Sequence, residues 1–195
     1  IPFAITTGNT FVVKAASMVP QTAMRMLELL IEAGMPKGVV NLVTCSRVEA
    51  DSLLVNPHIK GISFVGSTSV GMHIYKTASG AGKRVQALTE AKNHALVMED
   101  CVLGRSVKGI INSTYGCAGQ RCMALPAVCV QESIADEFAA LLKKYAAELK
   151  IGPAYLPESQ LGPMVSLGQK ESVEKCIARG VEEGHLLAGP GQDSQ

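Results

Sequence analysis

Several signatures of specialised protein classes are missing from this chain of 195 residues. It contains no tryptophan, and aromatic residues make up only 4% of it. Its formal net charge of +1 offers no basic surface to nucleic acid or to an acidic membrane. No apolar run approaches the roughly 18 consecutive residues that a membrane-spanning helix needs. The sequence therefore predicts an ordinary soluble globular protein without a nucleic-acid or membrane partner.

Patterns typical of metal sites and disulfide frameworks are absent as well. The six cysteines show no CxxC spacing, and none of the four histidines lies at i, i+4 from another His or Cys. Without a signal peptide, we expect reduced thiols, an intracellular location and no metal. The chain begins and ends within apolar patterns, which predicts that it is part of a longer polypeptide.

Strand-like and helix-like segments alternate along the first half of the chain. This β-α-β-α-β order is typical of a parallel sheet covered by helices, and such sheets bind ligands beyond the carboxyl ends of their strands. The predicted strands span 10–14, 39–44, 59–65, 83–89 and 126–130. The predicted helices span 20–33, 48–54, 107–115, 134–149 and 167–183, and a further helix runs through 73–76.

A glycine- and hydroxyl-rich segment lies where the third predicted strand turns into a helix. Gly66 and Gly71 flank the hydroxyl residues Ser67, Thr68 and Ser69. Because backbone N–H groups and the helix dipole favour an anion at a helix N-terminus, a phosphate or pyrophosphate could bind at Ser67. The alternative is an ordinary N-cap without a ligand.

One loop places a cysteine among residues suited to activating it. Gly116 and Gly119 permit positive φ angles and a close approach to a ligand. Gln120 and nearby main-chain N–H groups can donate hydrogen bonds to an oxyanion, and Arg121 beside Cys122 favours thiolate over thiol. These are components of a cysteine nucleophile site. The alternative is a structural cysteine in a turn, and the local chemistry alone leaves both interpretations open.

Four motifs, taken in this order, resemble the aldehyde dehydrogenase superfamily, and most closely its CoA-acylating branch, the methylmalonate-semialdehyde dehydrogenases. The motifs lie at 8–14, 64–67, 91–94 and 116–124. Residues 92–94 and 119–124 carry the likeness to the branch. The resemblance implies an α/β fold, with part of a Rossmann-type NAD-binding domain at 1–94 and part of an α/β catalytic domain at 95–195.

The resemblance also implies the residues of a site. Lys14 would hydrogen-bond the adenosine ribose of NAD, Ser67 would contact the pyrophosphate, and the backbone of Thr89 would contact the nicotinamide side. Cys122 would attack the aldehyde carbon, and its own N–H would help to stabilise the oxyanion before a thioester forms. The implied substrate is methylmalonate or malonate semialdehyde, with CoA as the co-substrate.

The group that breaks the thioester distinguishes two chemistries. Hydrolytic relatives use a glutamate that activates water, and counting back from Lys92 its position here holds Leu88. Because leucine accepts no proton, attack by the thiol of CoA is favoured. Two alternatives stay open. One is NAD(P)-dependent hydrolysis with Glu90 as the base, on the same strand face as Leu88. The other is an inactive remnant that acts as a binding module.

The chain departs from the family pattern at several positions. Ser17 stands where the family has a glutamate that holds the ribose hydroxyls, which leaves the choice between NAD and NADP open. Glu90 replaces a glycine, and its charge could obstruct the nicotinamide pocket. The resemblance further implies a homo-oligomer that takes part in valine catabolism, in the cytoplasm of a bacterium or the mitochondrial matrix of a eukaryote.

Overall fold

The computed structural model describes residues 1–184 and confirms the predicted alternation of strands and helices. One boundary differs clearly, because α5 begins at Leu103 where the sequence predicted residue 107. The strands are β1 (Phe11–Lys14), β2 (Val40–Val43), β3 (Gly61–Val65), β4 (Arg84–Leu88), β5 (His94–Val97) and β6 (Ala127–Val130). The helices are α1 (Pro2–Thr6), α2 (Pro20–Glu32), α3 (Arg47–Val55), α4 (Thr68–Gly80), α5 (Leu103–Tyr115), α6 (Ala135–Ala147) and α7 (Leu167–Glu182).

The chain divides into two compact units, Ile1–Glu90 and Ala91–Gln195. The first unit contains β1 to β4 with α1 to α4, and the second contains β5 and β6 with α5 to α7. The roles expected for residues 1–94 and 95–195, cofactor binding and catalysis, stay predictions.

The strands pair in parallel, as expected, but in residues 1–184 they form three separate pairs instead of one sheet. The parallel sheet expected through the first three strands is therefore present as two parallel pairs, β1–β2 and β3–β4. The reason is that α2 and α4 each close a local βαβ unit, β1–β2 and β3–β4, whereas α3 leads from β2 to β3 without pairing them. The pairs start with Phe11 opposite Val40, Gly61 opposite Arg84 and His94 opposite Ala127.

Close packing of α4 on the β3–β4 pair requires a glycine. A Cβ at Gly71 would lie 2.5 Å from the Cγ2 atom of Thr89, the residue that follows β4. Since real Cβ contacts are longer than this, only glycine lets the helix approach the strand end so closely. The predicted glycine-rich segment therefore has a packing role at Gly71 in addition to any ligand.

The core of the second unit lies between the β5–β6 pair and the helices α5 and α6. Val107 on α5 is completely buried, and Phe138 on α6 packs in the same cluster. Val97, the last residue of β5, joins them and connects the strand pair to both helices. Burial of these aliphatic and aromatic side chains stabilises the unit that carries the cysteine loop.

Replacing Val107 with alanine should lower the free energy of unfolding by on the order of 2 kcal/mol, because it removes buried methyl groups and leaves a cavity. Val181→Ala is the matched control, since this valine on α7 is 54% exposed and its loss should change stability by less than about 0.5 kcal/mol. Urea unfolding followed by circular dichroism measures both. Equal effects of the two substitutions would contradict a core centred on Val107.

Candidate active site

Cys122 lies in a tight turn between α5 and β6. The Ala124 N–H donates to the Arg121 carbonyl at 3.0 Å, so Cys122 and Met123 are the central residues of a β-turn. The cysteine is exposed and forms no disulfide. Within residues 1–184 its N–H donates no hydrogen bond. An exposed sulfur beside an available N–H is the arrangement that an oxyanion-forming reaction requires.

Two side chains from flanking elements hold this turn by its backbone. Asn93, directly before β5, donates through Nδ2 to the carbonyls of Cys122 at 2.9 Å and Ala124 at 2.8 Å. Thr114, near the end of α5, donates through Oγ1 to the Leu125 carbonyl at 2.8 Å. Sequence reasoning placed Asn93 in a motif without giving it a role and did not single out Thr114. Only the β5–β6 pairing shows that Asn93 lies beside the turn.

Both polar atoms of the Gln120 side chain form hydrogen bonds to backbone groups. Its Nε2 donates to the Cys117 carbonyl at 3.0 Å, and its Oε1 accepts from the Val165 N–H at 2.9 Å. The carboxamide is therefore held at both ends and links the loop to the segment before α7. The structure gives Gln120 this bridging contact, where the sequence suggested a donor to an oxyanion.

The chain approaches the turn through a left-handed segment that the sequence did not predict. Cys117 and Ala118 have φ angles of 57° and 54°, and Gly119 has a φ of 71°. A left-handed conformation costs a residue with a Cβ on the order of 1–2 kcal/mol, whereas glycine adopts it freely. Gly119 thus supplies the positive φ expected of it, and the two residues before it carry backbone strain.

Arg121 folds back onto the end of α5. Its Nη2 donates to the carbonyl of Asn112 at 2.8 Å. The guanidinium lies so close to Gly116 that a Cβ on this residue would overlap it. Gly116 therefore allows another group to lie close to the backbone, as expected. That group is the Arg121 guanidinium of the same loop, whereas the sequence suggested a ligand. Promotion of the Cys122 thiolate by Arg121 stays a prediction.

In the first unit, Lys14 lies at the carboxyl end of β1, where a parallel sheet binds ligands. Its Nζ donates to the Ser17 hydroxyl at 3.4 Å. Ser17 also borders an open hollow of about 300 Å³ beyond the ends of β1 and β2. The other lining residues are Pro20, Thr44, Cys45 and Ser46.

A capping box at the start of α3 fixes one wall of this hollow. The Ser46 N–H donates to the Glu49 carboxylate at 2.7 Å, and the Glu49 N–H donates to the Ser46 hydroxyl at 3.2 Å. The hydrogen bond from the Ser46 backbone lowers the pKa of Glu49 below its usual range. Ser17 and Ser46 thus line one hollow, and Lys14 contacts Ser17 beside it. A contact of Lys14 with the adenosine ribose stays a prediction.

The second predicted cofactor contact lies at the N-terminus of α4. Ser67 is the N-cap residue, but its hydroxyl caps no backbone N–H and lies 3.4 Å from the Ser69 hydroxyl. The first turn of α4 contains no acidic residue. The helix itself thus leaves its N-terminal dipole free for an anion, although the Glu90 carboxylate from outside the helix bonds the Thr68 hydroxyl at 2.9 Å. A pyrophosphate contact of Ser67 stays a prediction.

Glu90 lies beyond the end of β4, which stops at Leu88. The expectation that both residues share a strand face is therefore wrong, because Glu90 is in the segment after the strand. Its carboxylate accepts from the Thr68 hydroxyl at 2.9 Å and is tied to the start of α4. Leu88 is 52% exposed at the carboxyl end of β4.

Within residues 1–184, no group of three or more His, Cys, Asp or Glu side chains could hold a metal ion. No helix in this part of the chain has the length and apolar character needed to cross a bilayer.

Comparison with known proteins shows what the chain is similar to. Residues 1–195 match the model of the aldehyde dehydrogenase family. A malonate-semialdehyde dehydrogenase from Bacillus cytotoxicus is 45% identical over 191 residues, which cover 98% of this chain and 39% of the relative. The chain therefore spans well under half of the length of this curated relative.

Solved structures show the same similarity. The methylmalonate-semialdehyde dehydrogenase DddC from Oceanimonas doudoroffii superposes with a TM-score of 0.91 at 35% identity, over 99% of this chain and 40% of that one. A second structure is that of a Sinorhizobium meliloti protein assigned to the methylmalonate-semialdehyde dehydrogenases and crystallised with NAD. It superposes with a TM-score of 0.86 at 36% identity, over 93% of this chain and 37% of that one. The matches confirm the predicted aldehyde dehydrogenase-like α/β fold class.

Gly116→Ala should destabilise the second unit by about 1 kcal/mol, because the new Cβ displaces the guanidinium of Arg121 from the Asn112 carbonyl. Gly109→Ala is the control, since this glycine in α5 has open space around it and alanine favours a helix. Thermal unfolding of both variants, alone and with Arg121→Ala, measures the coupling. A cost of Gly116→Ala that persists without the Arg121 side chain would contradict the proposed clash.

Proposed function

The chain belongs to the aldehyde dehydrogenase family, and on this basis we propose that the protein it represents oxidises malonate or methylmalonate semialdehyde to an acyl-CoA, with NAD as cofactor. The Cys122 turn is the observation that carries the proposal, because it combines an exposed thiol with an available N–H. Relatives named malonate- or methylmalonate-semialdehyde dehydrogenase support this substrate class. Since the chain covers 39% of such a relative, the activity is proposed for the whole protein.

In the proposed mechanism, the thiolate of Cys122 forms a bond to the aldehyde carbon, and the carbonyl electron pair moves to oxygen. The Cys122 N–H stabilises that oxygen, and such a donor typically contributes about 100- to 1,000-fold in rate. Bound NAD would supply the hydride acceptor needed for oxidation of this adduct to a thioester. Cys122 thereby holds the acyl group covalently until a second nucleophile removes it.

The cofactor would be held by the first unit. Lys14 would bond the adenosine ribose, and its contact with Ser17, which lines the hollow beyond β1 and β2, supports this placement. Ser67 would contact the pyrophosphate at the N-terminus of α4. Thr89, packed on α4 next to Gly71, would present its backbone to the nicotinamide side.

Release of the acyl group would fall to the thiol of CoA. Leu88 occupies the position of the hydrolytic glutamate and cannot activate water. Glu90, the alternative base, has one carboxylate oxygen bonded to the Thr68 hydroxyl at the start of α4. CoA-independent turnover that disappears in Glu90→Gln would establish the hydrolytic alternative.

We extend the proposal to the setting of the enzyme. A nucleophilic cysteine needs a compartment that keeps thiols reduced, and all six cysteines of the chain are free. This supports an intracellular location, in the cytoplasm of a bacterium or the mitochondrial matrix of a eukaryote. On the family resemblance alone, we also propose a homo-oligomer and a role in valine catabolism.

The first test is the dependence of NADH formation on CoA. In the full-length protein that carries this sequence, malonate or methylmalonate semialdehyde should yield NADH at a sustained rate only when CoA is present. Cys122→Ala should reduce the rate to background, whereas Cys129→Ala, which removes another exposed thiol, should retain it. Equal rates with and without CoA would refute transfer of the acyl group to CoA. If a thiol-directed aldehyde probe fails to label Cys122 selectively, the protein is an inactive remnant.

A second test restores the missing base. Leu88→Glu should raise CoA-independent NADH formation at least about ten-fold, because a positioned general base contributes roughly 100- to 10,000-fold when its geometry is good. Leu88→Gln is the matched control, as it has a similar size and polarity but accepts no proton. If the two variants show the same CoA-independent rate, position 88 does not decide between hydrolysis and acylation.

A further inference from the structure

We propose that Asn93 is a positioning residue for Cys122. Its two hydrogen bonds, to the carbonyls of Cys122 and Ala124, hold the turn in place and thereby keep the Cys122 main chain, with its N–H, where an oxyanion would form. The proposal rests on the proposed role of Cys122 as the nucleophile. Asn93 contacts the turn through the backbone, so it acts on the reaction only through the placement of Cys122.

The chemistry of the contact is specific to a primary amide. The Nδ2 atom of Asn93 carries two hydrogens, and both are used, on the carbonyls of Cys122 and Ala124. A serine could supply one of these hydrogen bonds. An ionised aspartate of the same shape could supply neither, and its charge would repel both carbonyl oxygens.

The bond to Cys122 fixes the part of the turn that is free to flip. Type I and type II turns differ in the orientation of the peptide between their two central residues, here Cys122 and Met123. Type II requires a positive φ at the second central residue, but in residues 1–184 the positive-φ residues other than glycine are Cys117 and Ala118. Asn93 therefore secures the orientation in which Met123 keeps a negative φ. The Cys122 N–H belongs to the preceding peptide, so Asn93 acts on it by anchoring the Cys122 main chain from its carbonyl side.

Asn93 connects this turn to a strand that is anchored in the core of the second unit. Asn93 directly precedes β5, whose last residue, Val97, is buried in the core of the second unit. The β5–β6 ladder starts with His94 opposite Ala127, so backbone pairing begins only after the turn has ended. The side chain of Asn93 continues the connection beyond the ladder to Cys122 and Ala124, which preorganises the turn.

Two reactions of the Cys122 thiol separate positioning from simple exposure. With p-nitrophenyl acetate, sulfur bonds to the ester carbon through a tetrahedral oxyanion, p-nitrophenolate leaves, and an acetyl thioester is formed. With iodoacetamide, sulfur displaces iodide and no oxyanion develops. The ratio of the acylation rate to the alkylation rate at Cys122 therefore reports oxyanion stabilisation, independently of how much thiolate is accessible.

The experiment measures both rates at Cys122 in the full chain by peptide-resolved mass spectrometry, without NAD or CoA. Asn93→Asp should lower the ratio at least about ten-fold, and Asn93→Ser should lower it less, because serine keeps one donor. Gln131→Met is the control. It removes a carboxamide at the other end of the same strand pair, where Gln131 Oε1 accepts from the Glu99 N–H at 3.0 Å.

Each result for the ratio of acylation to alkylation supports or refutes the positioning role of Asn93. An unchanged ratio in both Asn93 variants would overturn the positioning role, as would an equal fall in Gln131→Met. If circular dichroism shows that Asn93→Asp does not fold, Asn93→Ser decides alone. A wild-type chain in which Cys122 is alkylated but never acylated would refute the nucleophile itself, and with it the role of Asn93.

Discussion

The parallel pairing of β5 with β6 is the constraint on which the Cys122 turn depends. The pair is anchored in the core by Val97, against Val107 of α5 and Phe138 of α6. It brings the residue before β5 next to the loop that enters β6, although the two are far apart in sequence. Hydrophobic burial thus determines where Asn93 lies, and the two hydrogen bonds of Asn93 then determine where Cys122 lies.

The loop before the turn stores strain that its own side chains offset. Cys117 and Ala118 adopt left-handed backbone conformations that are unfavourable for residues with a Cβ. Gln120 bridges the Cys117 carbonyl to Val165, and Arg121 bonds the end of α5, so the strained segment is held from both sides. Such local strain occurs at functional sites when the surrounding contacts determine the conformation.

Most strands and helices were predictable from the sequence, because apolar periodicity and glycine or proline boundaries are local signals. The short α1 and β5 were not predicted, and the fold class followed from the resemblance of the motifs. The contacts of the loop were not predictable. Gln120 and Arg121 have the chemistry for an oxyanion or a thiolate, yet in the folded chain both bond to backbone atoms. Asn93 could not be assigned because its partners become neighbours only through strand pairing. Likewise, Glu90 was expected in a strand that in fact ends at Leu88.

The central claim is that Cys122 carries the acyl group, and trapping that group tests it most directly. The full-length protein would be mixed with NAD and malonate semialdehyde in the absence of CoA, quenched in acid, digested and mapped by mass spectrometry. An aldehyde-derived acyl thioester on Cys122, which disappears when CoA is added before the quench, is the expected result. An unmodified Cys122, or an acyl group on any of the other cysteines, would contradict a nucleophilic Cys122.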